Sequence, residues 1–337
     1  MRPLIVRLPN WVGDVIMSLP TLWHLHRHGY ALHLIGKHWA TALLSGCPWP
    51  VHPLPSQRRE RIRLLRRLGQ AARQEDTDFG KRLNTLLLTN SFSSALESWL
   101  AGLNTVGYRQ DHRGWLLTHP VTPPGPPVHE SQRFLLAAQA IAPDTPSPAG
   151  HDAYPDTPSV SLLPLTETAR QAAAGLLQQH GLLQNTTDTD ARALPYACLV
   201  PFATGTLKNG TSKAWPDFPT LARQLTCEIP VLLVPGPGAE TALARHDYPE
   251  ALILDNVALD VYAALLARST VVVANDTGPG HLAAAVGAQL ISILGPTDAS
   301  RYRALGTNVT LIQNSPWPSL DTVLQQTRQA ISAERTA

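Results

Sequence analysis

Val271-Val-Val-Ala-Asn275-Asp276-Thr277-Gly278-Pro279-Gly280-His281-Leu-Ala-Ala-Ala-Val-Gly287 is the stretch from which the rest of the chain can be read. The β-branched run Thr270 to Val273 has the composition of a buried strand, and the apolar segment Thr277 to Val286 that of a helix. Between them, Asn275 to Gly278 supplies turn chemistry and N-cap candidates, and Pro279 suits a first helical turn, where no amide hydrogen is needed. In parallel α/β sheets ligands bind where a strand ends and a helix begins. The unpaired N–H groups and the positive end of the helix dipole favour an anion there. An ordinary capped strand-to-helix turn has the same local pattern. An acid, a hydroxyl, a glycine and a histidine within one short turn argue for more than a cap.

Outward from this stretch the same alternation continues. Strands are expected at Tyr196 to Pro201, Val231 to Val234, Leu252 to Leu254, Leu290 to Leu294 and Val309 to Ile312. Helical patterns at Pro216 to Leu225, Ala239 to His246, Asp260 to Ala267 and Leu320 to Ile331 lie between and after them, which predicts a doubly wound parallel sheet. The loop after the first of these strands contains Gly205, Gly210 and Lys213-Ala-Trp215-Pro216. Its two glycines have Walker A spacing, but the lysine that must follow Gly210 directly is missing, which argues against a P-loop NTPase. Pro235-Gly-Pro-Gly238-Ala-Glu240 opens the next helix, with Thr241 where a dinucleotide fingerprint needs its third glycine. Glu240 suits a ligand contact and equally a first-turn acid complementing the dipole.

Residues 142–158 contain five prolines and no periodicity, the signature of a surface connection. Two domains are therefore expected, 1–155 and 156–337, with the last helix free to pack back on the first. Strands at Leu4 to Leu8, Leu32 to Ile35, Val51 to Leu54, Leu83 to Leu88 and Asn104 to Gly107 predict a second parallel sheet. A helix from Val15 to His28 follows the first strand, with Pro20 expected to kink it. Asp14 stands at its start, where a capping acid is common.

Arg58, Arg59, Arg61, Arg63, Arg66 and Arg67 form a basic run broken only by Glu60. On a helix, Ile62, Leu65 and Leu68 make its apolar stripe, and the arginines form either a solvated face or a grip on a polyanion. Asn90-Ser-Phe-Ser-Ser94 follows a strand at the sheet edge expected to carry Asp14. His24, His26 and His28 lack a nearby acid or cysteine and read as helix-surface residues, not as a metal site. Asp-x-Asp occurs at Asp76-Thr-Asp78 and Asp188-Thr-Asp190, in loops without a preceding buried strand, and reads as chance.

A chain of 337 residues with 44% hydrophobic content can bury two cores. No apolar run approaches the ~20 residues of a membrane span, and Leu4 to Leu8 is too short for a signal-peptide core, so a cytoplasmic protein is expected. Cys47, Cys198 and Cys227 are far apart and form no Cys-x-x-Cys pair, consistent with reduced thiols. A net charge of +2 gives no indication of a nucleic-acid partner.

Taken in order, Trp11-Val-Gly13-Asp14, Lys213-x-Trp215-Pro216, Gly238-x-Glu240, Asp276-Thr277-Gly278 with His281, and Gly295-Pro-Thr-Asp298 resemble the glycosyltransferase family 9 heptosyltransferases. The resemblance maps nothing residue by residue between Arg58 and His180. It implies a GT-B fold, two Rossmann-like domains with parallel sheets facing across a cleft. The implied reaction is inverting transfer of heptose from ADP-heptose to the lipopolysaccharide inner core, without a metal or other cofactor. Asp14 is then the base and Lys213 the contact to the donor phosphates. Thr204, Lys213, Glu240, Asp276, Thr277, Gly278 and His281 line the donor site. Separately from the resemblance, the basic run makes Arg58, Arg59, Arg61 and Arg63 the candidates to hold an anionic acceptor at the inner face of the membrane, a solvated face being the alternative. Nothing in these residues reads the heptose itself, so a family-9 transferase of another nucleotide sugar fits equally. A nucleotide-sugar epimerase of the same fold lacks the Lys-x-Trp-Pro element. A non-catalytic nucleotide-sugar-binding protein has no need of both Asp14 and Lys213.

Overall fold

The β-branched and leucine-rich runs near the amino terminus form a six-stranded parallel sheet. It comprises β1 (Arg2–Arg7), β2 (Tyr30–Gly36), β3 (Val51–Pro53), β4 (Thr85–Leu87), β5 (Thr105–Tyr108) and β6 (His119–Val121), in the order β3-β2-β1-β4-β5-β6. A computed structural model describes residues 1–143, 162–183, 193–203 and 213–336. It divides into two units, Met1–Leu162 and Leu163–Ala337.

Helices α1 (Val12–Arg27), α2 (Trp39–Leu43), α3 (Arg58–Glu75), α4 (Phe92–Leu100) and α5 (Glu130–Ala138) pack around the first sheet. Strand β1 is buried from Pro3 onward because it lies in the middle of the sheet with helices on both faces. α1 runs unbroken through Pro20, whose ring is buried. Gly29 then ends the segment with φ of +82°, a conformation that costs a glycine nothing. On α3 the buried residues are Leu64, Leu65, Leu68, Gly69 and Ala72, so the apolar stripe is rotated from the one expected and Ile62 lies at its margin. Strand β6 was not legible in the sequence. It is three residues long, holds Pro120 and forms the sheet edge, where a missing N–H is tolerated.

The second unit repeats the plan. Strands β7 (Ala197–Val200), β8 (Val231–Leu233), β9 (Leu252–Ile253), β10 (Val271–Asn275), β11 (Leu290–Leu294) and β12 (Val309–Gln313) pair in parallel in the order β12-β11-β10-β7-β8-β9. Helices α6 (Glu167–Gln179), α7 (Phe218–Leu225), α8 (Ala239–Asp247), α9 (Leu259–Arg268), α10 (Gly278–Ala285), α11 (Ala299–Tyr302) and α12 (Leu320–Thr336) accompany it. The last helix packs Val323, Leu324 and Ile331 into the core of its own unit, beside Trp215, Val273 and Ile293.

Both sheets have the Rossmann order, in which the strand sequence reverses between the first and fourth strands. Chain direction away from the sheet centre reverses there, so the loops leaving the two strands diverge and open a crevice at their carboxyl ends. In the first unit those loops follow β1 and β4. In the second they follow β7 and β10. Trp11 to Asp14 follows β1, Lys213 to Pro216 follows β7 and Asp276 to His281 follows β10, while Gly238-x-Glu240 and Gly295 to Asp298 follow the neighbouring strands β8 and β11.

Candidate active site

In the second unit, Asn275 ends β10 with its side chain fully buried. Its Nδ2 donates to the Pro201 carbonyl at 2.5 Å, and its Oδ1 accepts from the Trp215 backbone amide at 3.0 Å. One amide side chain thus ties the ends of the two switch-point strands to the Lys213-x-Trp-Pro loop. Trp215 is fixed from its other side, its Nε1 donating to the Pro318 carbonyl at 3.0 Å and its ring meeting Phe218 edge-on. Lys213, two residues before this anchor, is thereby delivered to the start of α10.

There Lys213 Nζ lies 3.4 Å from Asp276 Oδ2, and His281 Nε2 lies 3.8 Å from Asp276 Oδ1, an ion-pair distance too long for a hydrogen bond. The Asp276 side chain is 9% exposed and that of Lys213 27%. Burial on its own pushes the Asp276 carboxyl up, but His281, Lys213 and the Thr297 hydroxyl outweigh it and hold the group below its ordinary value. Thr277 is the N-cap of α10, and its Oγ1 accepts from the Gly280 amide at 3.4 Å. Pro279 has no amide hydrogen. Among Thr277 to Gly280, Thr277 and Gly278 are therefore the two whose amides no bond among the described residues occupies. Gly280 is needed for close approach, since a Cβ there would sit 3.0 Å from the Asn275 carbonyl.

The Gly295-Pro-Thr-Asp segment supports this cluster from beneath. A Cβ on Gly295 would lie 2.5 Å from the Pro316 carbonyl, Thr297 is buried, and Asp298 caps α11 through the Ser300 amide at 3.0 Å. α11 in turn places the Tyr302 ring 5.9 Å from Lys213 Nζ and 4.9 Å from the Arg301 guanidinium. Neither Arg301 nor Tyr302 carried a signal in the sequence beyond following this motif.

Glu240 lies at the neighbouring strand end, where its Oε2 accepts from the Gly236 amide at 2.7 Å. It closes its own loop, assisted by Gly238 at φ of +88°. Thr204, with the rest of 204–212, falls outside the described residues, as does Asp188-Thr-Asp190. The other Asp-x-Asp is internally bound. Asp76 pairs with Arg82 at 2.6 Å and accepts from the Asp78 amide, and Asp78 pairs with Lys81. His24 is buried and not on the helix surface as expected, its imidazole tilted against that of His28 with centroids 4.0 Å apart, and no group of three or more metal-ligating side chains occurs among the described residues.

In the first unit Asp14 is half-buried in the first turn of α1, whose N-cap position is Trp11, a residue without a side-chain cap. The loop leading to it is held by Arg7 at the end of β1. One nitrogen of this buried guanidinium donates to the Leu8 and Ile35 carbonyls at 2.5 and 3.3 Å, and the other to Asn10 Oδ1 at 2.9 Å. Burial pushes Arg7 down to about 10 against the pull of Glu97. Glu97 of α4 is itself buried, and burial raises its carboxyl despite Arg61, Arg7 and Arg58. Arg61 pairs with it at 3.2 Å, so this member of the basic run points into its own unit. Arg58, Arg59 and Arg63 stand exposed, and Arg66 donates to the Leu100 carbonyl at 2.9 Å.

The residues gathered at the two switch points can now be set beside known proteins. The family model described as glycosyltransferase family 9 (heptosyltransferase) matches residues 65–331, well over half of the chain. Lipopolysaccharide heptosyltransferase 2 of Escherichia coli K12 is 24% identical over 307 residues, covering 86% of this chain and 81% of that protein. Among solved structures, the ADP-heptose lipopolysaccharide heptosyltransferase II of E. coli superposes with a TM-score of 0.72 at 23% identity, over 99% of this chain and all of that one. A family 9 glycosyltransferase of Veillonella parvula gives 0.72 at 14% identity, over 99% and 96%. The E. coli heptosyltransferase WaaC with ADP gives 0.64 at 21% identity, over 99% and 100%. With two Rossmann-ordered sheets and motifs at both switch points, the chain belongs to glycosyltransferase family 9 and is a glycosyltransferase of the GT-B fold.

Proposed function

We propose that this enzyme transfers heptose from ADP-heptose to the inner core of lipopolysaccharide, with inversion at the anomeric carbon. The observation that carries the donor half is the cluster at the start of α10, where Lys213 is held 3.4 Å from Asp276 beside the Thr277 and Gly278 amides. The donor diphosphate lies against that helix start. As the C1–O bond breaks, charge develops on the leaving ADP and is taken up by Lys213 and the two amides, donors already in place before the reaction. Asp276 orients the ammonium. Glu240 accepts from the ribose hydroxyls with the carboxylate oxygen that Gly236 leaves open, and Thr204 completes the site. With these donors the reaction proceeds without a divalent cation.

The acceptor half belongs to the first unit. An acceptor hydroxyl attacks the anomeric carbon while Asp14 takes its proton, which converts a weak nucleophile into an effective one. Arg58, Arg59 and Arg63 bind the phosphate and carboxylate groups of the acceptor and bring the enzyme to the inner membrane as a peripheral protein. No helix among the described residues is long and apolar enough to cross a membrane. Transfer of a different sugar by the same machinery is the second reading, because the residues identified contact phosphate, nucleoside and acceptor, and none is assigned to the sugar. The test is turnover of a panel of nucleotide sugars on deacylated inner-core acceptor in EDTA, with the product anomer read by NMR. Heptosyl transfer with inversion supports the proposal. Faster turnover of another sugar, or retention of configuration, overturns it.

A further inference from the structure

Phe92 and Trp115 are large aromatic side chains left in water, 39% and 70% exposed, with ring centroids 6.1 Å apart and planes inclined by 56°. Phe92 is the first residue of α4, directly after β4. Trp115 lies in the single 3₁₀ turn Gly114–Leu116 after β5. β4 and β5 are adjacent strands, and β4 pairs with β1, whose carboxyl end leads to Asp14. The pair therefore stands on the ligand-binding edge of the first sheet.

What holds the pair is unusual for a surface feature. Arg113, between the two segments, is 0% exposed. Its Nε donates to the Tyr108 carbonyl at 2.8 Å, and its Nη1 to the Ser91 carbonyl and Ser94 Oγ, both at 3.3 Å. A buried guanidinium thus clamps the N-cap turn that bears Phe92 to the turn that bears Trp115. Gly107 accommodates it, since a Cβ there would lie 3.1 Å from Arg113 Nη2. Asp111 and His112 precede it with φ of 54° and 56°, two consecutive residues in the left-handed region, which aspartate and histidine enter more readily than most side chains. On the other side of Trp115, Leu116 and Leu117 pack with Leu87 and Ala95. The exposed indole is thus flanked by buried residues, Arg113 two positions before it and Leu116 directly after.

A tryptophan exposed for want of space has no need of such a mount. A rigid, tilted aromatic pair beside the hydroxyls of Ser91 and Ser93 suits one ligand chemistry, the apolar C–H face of a pyranose ring whose hydroxyls reach the polar rim. We propose that Phe92 and Trp115 form an aromatic subsite that stacks on a sugar ring of the acceptor, with Arg113 as its positioning residue. This rests on the reading of the first unit as the acceptor side. The subsite adds a contact that is independent of charge to the one made by the exposed arginines, so it recognises acceptor sugar where those recognise phosphate.

The experiment uses the full chain labelled with 5-fluorotryptophan, the Trp115 resonance being the one absent from Trp115→Phe. Titration with deacylated, dephosphorylated inner-core oligosaccharide shifts that resonance, and vesicles of phosphatidylethanolamine and phosphatidylglycerol do not. In turnover, Trp115→Ala raises the acceptor KM about 5- to 10-fold with the donor KM unchanged, and Trp115→Phe restores most of the loss. An enzyme that transfers sugar with an unaltered acceptor KM in Trp115→Ala overturns the subsite and leaves the transferase reading standing. A chain inactive with every acceptor overturns that reading, while the oligosaccharide titration still decides the subsite. A Trp115 shift with vesicles as large as with sugar, or with neither, overturns the subsite as well.

Discussion

Replacing Asp276 by Asn removes one charge from a nearly buried site and keeps its shape. In the folded protein this carboxyl lies below its ordinary value of 3.8, even though burial opposes ionisation, because His281, Lys213 and Thr297 favour the anion. A folded value below the unfolded one means that the stabilisation is fully present above about pH 3.8 and is lost as pH falls through the folded value. Charge-assisted contacts to a buried group contribute about 1.5–3 kcal/mol, and separations of 3.4 and 3.8 Å, longer than the optimum, place this one at about 2 kcal/mol. In a unit of this size about 2 kcal/mol lowers the melting temperature by roughly 4–8 °C. Calorimetry of Asp276→Asn against the parent reads this at pH 7 and pH 5, and below pH 4, where the gap closes. A variant as stable as the parent at pH 7, or a gap that persists at acid pH, refutes the reasoning. A more stable variant refutes it more strongly, since burial would then dominate the site.

Asp14→Asn lowers turnover by roughly 100-fold or more while ADP affinity stays near the parent's, as expected of a lost general base; normal turnover would return Asp14 to a purely structural role. Arg59→Ala with Arg63→Ala raises the acceptor KM and flattens its salt dependence without altering ADP binding, measured with phosphorylated and dephosphorylated acceptor; equal handling of both by variant and parent makes the run a solvated helix face. Glu97 has the opposite sign to Asp276. Burial raises its folded value, so its contribution is fully present below the unfolded value of 4.5 and is lost as pH rises through the folded one. Denaturant melts of Glu97→Gln against the parent therefore favour the variant progressively as pH rises above 4.5, and a slope of the other sign contradicts the burial argument.

The parallel sheets were legible because buried strands and apolar helices alternate strongly in the sequence, and because glycine, proline and a capping hydroxyl mark where each helix starts. β6 escaped because three residues containing a proline have no periodicity to read. Lys213, Asp276, Thr277 and His281 were legible as members of one site, yet the element that joins them was not. Asn275 looked like turn chemistry and proves to be the buried bolt between Pro201 and Trp215, a role that depends on partners 74 and 60 residues away. Arg61 shows the converse. It stands in an arginine-rich run between Glu60 and Ile62, and only the packing of α3 against α4 reveals Glu97 as its partner. Buried charges such as Arg7 and Arg113 leave no local signal, because what makes them tolerable is a set of carbonyls supplied by other strands and turns.

In the proposed function, the Lys213 cluster at the start of α10 receives the donor diphosphate. Isothermal titration of ADP and of adenosine into the parent and into Lys213→Ala, in EDTA, tests it most directly. ADP is predicted to bind the parent without a divalent cation, and the substitution to weaken ADP by about 10-fold or more, equivalent to ~1.5–3 kcal/mol, while leaving adenosine unchanged. Binding that strictly requires magnesium, or a substitution that weakens ADP and adenosine alike, contradicts it.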